Sequence, residues 1–118
     1  MLSSKFGLPI FHKTYRFVKL IDQYQEQIPK KKKYTLWKKC DDLSLELLQK
    51  VMRASDEREA YKRKQRLYDL NFVLDQLRIF FRLCFETQCF SEKKYLVLVT
   101  HLDEMGKMIG GWIRSLER

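Results

Sequence analysis

The chain has 118 residues, 45% of them hydrophobic, with 24 Lys and Arg against 15 Asp and Glu, a formal charge of +9 and a pI near 9.6. That length suits one domain around one continuous core, and a positive field of this size on so small a body attracts polyanions, of which nucleic acid is the commonest in cells. Four Gly and two Pro against eight Phe and six Tyr favour a few long elements, and no stretch approaches the roughly 18 uninterrupted apolar residues of a membrane span.

Four segments carry apolar residues at helical spacing. The first runs from Pro9 to Ile28. Pro9 suits a first helical turn, and Pro29 ends the segment because the residue before a proline avoids the α region. Phe11, Val18, Ile21 and Ile28 form its expected stripe, widened by Phe17 and Tyr24. The second segment, Thr35 to Ala54, sets Leu36, Cys40, Leu43, Leu47, Val51 and Ala54 three and four apart, as a bundle seam requires. Asp56 then reads as an N-cap, with Glu59 completing a capping box for the third segment.

That third segment spans Glu57 to Thr87 and is on the order of 45 Å long as a helix. Leu67, Leu70, Leu74, Leu77, Phe81 and Cys84 form its seam, with Val73 and Phe80 beside them. Ser91 followed by Glu92 caps the fourth segment, which ends near Leu116, and Tyr95, Leu98, Leu102, Met105, Ile109, Trp112 and Leu116 repeat there by three and four. No strand alternation and no internal repeat is present. The expected fold is all-α, a single antiparallel four-helix bundle running up-down-up-down, because short connections force neighbouring helices antiparallel.

This topology sorts the cations by pole. One end gathers Lys30, Lys31, Lys32, Lys33, Lys38, Lys93 and Lys94; the other gathers Arg53, Arg58, Lys62, Arg63, Lys64, Arg66, Arg114 and Arg118, diluted by Asp56, Glu57 and Glu59. From Lys30 to Lys39 the chain holds six lysines and no acid. Cations packed this closely repel unless something neutralises them, and phosphates do so while releasing condensed counterions. The alternative is a solvated turn that only maintains solubility. Tyr34 and Trp37, interleaved with the lysines, offer rings on which unpaired bases can stack, although aromatics at helical spacing more often belong to a core.

Arg58, Lys62 and Arg66 stand four apart and share a face in the expected third helix, with Arg63 and Lys64 beside them; the stripe either tracks a phosphate backbone or is a charged outer face. Arg78 and Arg82 flank Ile79, Phe80 and Phe81 in an apolar run and require partners, Asp75, Glu86 or acids on another subunit, so an inter-subunit or inter-helix role is expected of them rather than nucleic-acid contact. Gly110 and Gly111 each cost about 1 kcal/mol inside a helix relative to Ala. They therefore point to a close subunit or helix contact beside Trp112, or else to a kink or a fraying last turn.

The inventory for catalysis is poor. His12 and His101 are the only histidines and lack paired acids at catalytic spacing, and the chain holds neither a glycine-rich phosphate loop nor a nucleophile elbow. Cys40, Cys84 and Cys89 are odd in number without CxxC spacing, so no disulfide framework or zinc knuckle is signalled. Lys5, Lys13, Arg16 and Lys19 break up any signal-peptide core. The expected class is a cytoplasmic, non-enzymatic, nucleic-acid-binding protein without metal or cofactor; the alternative is a protein-interaction module.

Ile28-Pro29-Lys30-Lys31 leading into a helix with Cys40, the run Leu77-Arg78-Ile79-Phe80-Phe81-Arg82, and Ile109-Gly110-Gly111-Trp112-Ile113 together carry a family resemblance. In order and spacing the chain resembles the accessory variability determinant (Avd) proteins of diversity-generating retroelements. It is similar also to their relatives encoded in intervening sequences of bacterial large-subunit rRNA genes. The similarity extends from about Leu8 to Leu116. It implies a four-helix-bundle protomer in a ring-like homopentamer that partners a reverse transcriptase and binds its template RNA. Lys30 and Lys31 match the family's basic pair after the proline, Arg78 and Arg82 its third-helix arginines, and Gly110 and Trp112 its last-helix signature. Lys32, Lys33 and the Lys62 to Arg66 cluster have no secure counterpart.

Overall fold

The computed structural model describes residues 5–117; Arg118, placed above with the second basic pole, lies outside them. The described residues are helical with short connections: α1 (Gly7–Tyr24), a 3-10 turn (Gln25–Gln27), the single turn α2 (Lys30–Lys33), α3 (Leu36–Asp56), α4 (Ala60–Glu86) and α5 (Glu92–Leu116). The four long helices pack side by side in a bundle-like body of about 46 × 20 × 19 Å. Directions alternate. The start of α4 meets the end of α3 through Arg63 and Ala54, and Phe85 near the end of α4 stacks on Tyr95 near the start of α5 at 4.8 Å. Phe6, just before α1, reaches Trp112 late in α5.

The seams of α3, α4 and α5 lie where the spacing puts them. Cys40, Leu43, Leu47, Val51 and Ala54 are buried on α3, Leu67 through Cys84 on α4, and Leu98 through Trp112 on α5. At the first position of α3, Trp37 and not Leu36 is the buried residue. The stripe of α1 is turned from the expected one. Ile10, Thr14, Phe17 and Ile21 are buried, while Phe11 and Val18 are only half-buried. Thr14 occupies a core position because its hydroxyl donates to the Ile10 carbonyl at 2.8 Å and reaches the Met105 sulfur, so burial leaves it satisfied.

Helix ends also depart from expectation. Asp56 does not cap α4; α3 continues through it, with the Glu57 N–H donating to the Arg53 carbonyl at 3.1 Å. The N-cap of α4 is Glu59, without a side-chain cap bond, so the expected capping box does not form. At α5 the Ser91 hydroxyl accepts from the Lys94 N–H as expected. The α4–α5 connection turns on Gln88, whose φ of 65° lies in the left-handed region. The Cys89 N–H donates to the Cys84 carbonyl at 2.8 Å and the Gln88 N–H to the Phe85 carbonyl at 3.0 Å, a glycine-type helix stop made without glycine.

Gln88→Gly removes the steric cost of that conformation. Urea unfolding is expected to show a gain of about 0.5 to 1 kcal/mol, the glycine's extra unfolded-state entropy having been subtracted. A loss would mean that the Gln88 side chain contributes contacts of its own.

Candidate nucleic-acid interface

The first pole is built from the α1–α3 connection. Ile28 is buried and Pro29 follows it in extended backbone, after which the Lys32 and Lys33 N–H groups both donate to the Pro29 carbonyl, at 2.9 and 3.1 Å. That bonding curls Lys30–Lys33 into one helical turn, so the expected connection carries local order of its own. Trp37 then anchors the far side of the turn, buried edge-on against Phe90 at 6.1 Å and tilted against Phe81 at 6.3 Å. The indole is thus core, whereas Tyr34 stands 71% exposed.

No ion pair to Lys30, Lys31, Lys32 or Lys33 is present among the described residues. Lys39 and Lys93 likewise meet no carboxylate there, Lys94 lies over the Tyr24 ring at 5.2 Å, and Lys38 pairs with Asp42 at 3.3 Å on the open surface. Of these eight lysines only Lys38 is ion-paired among the described residues.

The second pole is different. Lys62 pairs with Glu59 at 3.4 Å, Lys64 with Glu117 at 3.2 Å, and Arg66 with Glu57 at 3.0 Å. The Arg66 hydrogen bond holds the Glu57 carboxyl below its usual range. Arg63 donates to the Ala54 carbonyl at 2.9 Å and the Ser55 carbonyl at 3.2 Å, closing the end of α3, and its guanidinium lies 5.8 Å from the Trp112 ring centre. Arg58 precedes α4, so the expected helical stripe of Arg58, Lys62 and Arg66 is interrupted. Lys62, Lys64 and Arg66 are thus paired with acids of the same chain and Arg63 with carbonyls, while no ion pair to Arg53, Arg58 or Arg114 is present among the described residues.

Arg78 bridges helices, the inter-helix role expected of it, donating to Asp103 on α5 at 2.6 Å, an acid outside the candidates weighed from sequence. Arg82 takes the expected Glu86 one turn later at 3.0 Å. A Cβ at Gly110 or Gly111 would meet only the Arg114 guanidinium, at 3.4 and 3.7 Å. Within the described residues no neighbouring helix fills the space beside the pair, so the expected helix contact is absent.

Chemistry beyond binding is sparsely provided. His12 is exposed beside Phe11, and His101 is half-buried against Phe17, where burial and then Lys13 push its pKa below the usual value. Cys40 and Cys84 lie 3.8 Å apart as free, buried thiols, and the hydrogen bond to Cys84 followed by burial pushes the Cys40 thiol up, away from a reactive thiolate. Among the described residues no group of three or more His, Cys, Asp or Glu is arranged to hold a metal ion, and no helix is long and apolar enough to cross a membrane.

A family model described as bAvd-like matches residues 8–116. The chain belongs to the bAvd-like family. Among curated proteins no match is found. In this bAvd-like chain the residues that carried the resemblance occupy three places. Lys30 and Lys31 sit on the lysine turn of the first pole, Arg78 and Arg82 of α4 hold ion pairs, and Gly110 and Trp112 lie late in α5.

Two features escaped sequence reasoning. Lys33, Trp37 and Asp41 follow one another at intervals of four and line one hollow with Gln25, Tyr34 and Lys38, a convergence visible in the spacing only if Trp37 is recognised as the anchor. The carbonyl-capping role of Arg63 leaves no local signal, since it joins residues nine apart across a break.

Arg63→Ala leaves two carbonyls of the α3 terminus without their donor and is expected to lower stability by on the order of 1–2 kcal/mol, measured by urea unfolding. The same variant should keep its nucleic-acid affinity. A lost affinity with intact stability would reverse the assignment of Arg63 from structural to binding.

Proposed function

We propose that this bAvd-like protein is a non-enzymatic, nucleic-acid-binding accessory subunit. It works in the cytoplasm beside a reverse transcriptase and its template RNA in a diversity-generating retroelement. The observation that carries the reading is the Lys30–Lys33 turn, four consecutive ammonium groups on a fixed turn with no carboxylate paired to them among the described residues. Phosphates neutralise such a turn at a gain in counterion entropy. Lys38 extends the track through an exchangeable surface pair, and Arg58, with the paired Lys62 and Arg66, forms a weaker second surface, to which Arg63 contributes only by closing the end of α3. Self-association, as the homopentamer that the family resemblance implies, multiplies the contacts of each protomer.

A protein-docking role is supported by a separate observation. Tyr61, Tyr68, Phe72, Ile79 and Leu83 are exposed and follow at seven, four, seven and four residues along α4, a single apolar face. Such a face suits another copy or the polymerase, with Arg82 at its edge. The glycine pair beside Trp112 is a second place where a neighbouring subunit can approach. Catalysis, metals and cofactors have no part in the reading.

Fluorescence anisotropy of a labelled strand against salt tests the binding role. Lys30→Gln, Lys31→Gln, Lys32→Gln and Lys33→Gln together are expected to weaken binding and to flatten the log–log salt slope by about 3 for a single strand, four contacts at ~0.7 each. An unchanged slope with the fold intact would overturn the proposal in favour of the docking module.

Gly110→Ala with Gly111→Ala gains about 1 kcal/mol per residue in helix propensity. If the pair admits a neighbouring subunit, light scattering should nonetheless show a smaller assembly. Unchanged mass would remove these residues from the subunit contact.

A further inference from the structure

A hollow of about 230 Å³ opens beside the lysine turn, lined by Gln25, Lys33, Tyr34, Trp37, Lys38 and Asp41. Its chemistry is mixed. Tyr34 presents a ring that is 71% exposed and has no aromatic or cationic partner among the described residues. Trp37 is 1% exposed, and its indole N–H meets no acceptor among the described residues. A buried donor left so is costly, and the ring it belongs to forms the floor of the hollow. Asp41 is half-buried, its carboxylate has no hydrogen bond or ion pair among the described residues, and burial followed by Asp42 and Asp22 pushes its pKa up. Among the described residues Lys33 has no paired carboxylate, and Lys38 forms its ion pair with the exposed Asp42.

These groups discriminate between ligands. A free anion would be attracted by Lys33 and Lys38 but repelled by Asp41, and a polyamine would meet the reverse. A nucleotide answers the reachable groups at once. Its phosphate reaches the lysines, its base lies on a ring, its ring N–H or amino edge donates to a carboxylate, and its acceptors meet the Gln25 amide.

Resting on the nucleic-acid reading above, we propose that this hollow takes one unpaired nucleotide of the bound strand. Its base stacks on Tyr34 and directs a donor edge to Asp41, and its phosphate lies on Lys33 and Lys38. A base within a duplex cannot enter, since its faces are stacked and its pairing edge is occupied. The lysine turn then supplies charge without regard to strand form, while the hollow selects single-stranded over double-stranded segments. The chemistry is common to RNA and DNA.

The test compares Tyr34→Ala and Tyr34→Phe with the unaltered chain by anisotropy, on one sequence as single-stranded RNA, single-stranded DNA and duplex at fixed salt. Tyr34→Ala is expected to lose about tenfold on a single strand, within the range for one stacked base, and nothing on the duplex, while Tyr34→Phe retains binding. A loss on both single strands supports the hollow for either nucleic acid, and a loss confined to RNA supports it with RNA as its ligand. No loss, or an equal loss on strand and duplex, overturns it. A 4-thiouridine strand should crosslink within residues 33–41, and crosslinks confined elsewhere count equally against the proposal. The lysine-to-glutamine variant separates the two levels. If it loses affinity while Tyr34→Ala is silent, only the hollow fails; if it binds all three ligands unchanged, the nucleic-acid reading itself fails.

Discussion

Mutual repulsion among consecutive ammonium groups is the constraint on which the lysine-rich end of this molecule depends. An unanchored chain would relieve it by moving Lys30–Lys33 apart. Here the turn is curled onto the Pro29 carbonyl and pinned on one side by buried Ile28 and on the other by buried Trp37. Apolar burial of those two anchors is worth on the order of 2 kcal/mol each, enough to hold a charged turn that has little stability of its own. The repulsion therefore persists in the folded protein and is available to a polyanion.

The two poles treat the same charge differently. At the far end Glu57, Glu59 and Glu117 occupy positions beside Arg66, Lys62 and Lys64, and Arg63 is spent on the carbonyls that end α3. Between the poles, acids of α5 hold the body together, Asp103 taking Arg78 of α4 and Glu104 taking Lys13 of α1. Each of these exposed pairs is weak by itself. With the continuous apolar seam they nonetheless fix helix register, so the lysine turn is presented on a rigid support. Rigidity matters because a flexible basic tail would lose conformational entropy on binding that this turn has already lost on folding.

The seams of α3, α4 and α5 were legible because apolar side chains three and four apart can only be buried together on one helix face. That of α1 was misread through Thr14, a polar residue whose hydroxyl is satisfied within its own helix and which therefore enters the core. The capping box at Asp56 failed for a related reason. Its local chemistry is sound, but α3 continues through Asp56, and Glu57 is drawn to Arg66. Local rules lose where a bond between distant residues is the better one.

Charge density, helical period and the break at Pro29 are properties of neighbouring residues, and the amino-acid order alone determined them. Which cations remain available was decided only by tertiary structure. Arg66 and Glu57 are nine residues apart, Arg78 and Asp103 twenty-five, and Lys13 and Glu104 ninety-one. Ion pairing falls off over a few ångströms, and only the packing of antiparallel helices brings such acids and bases within that reach while leaving Lys30–Lys33 outside it.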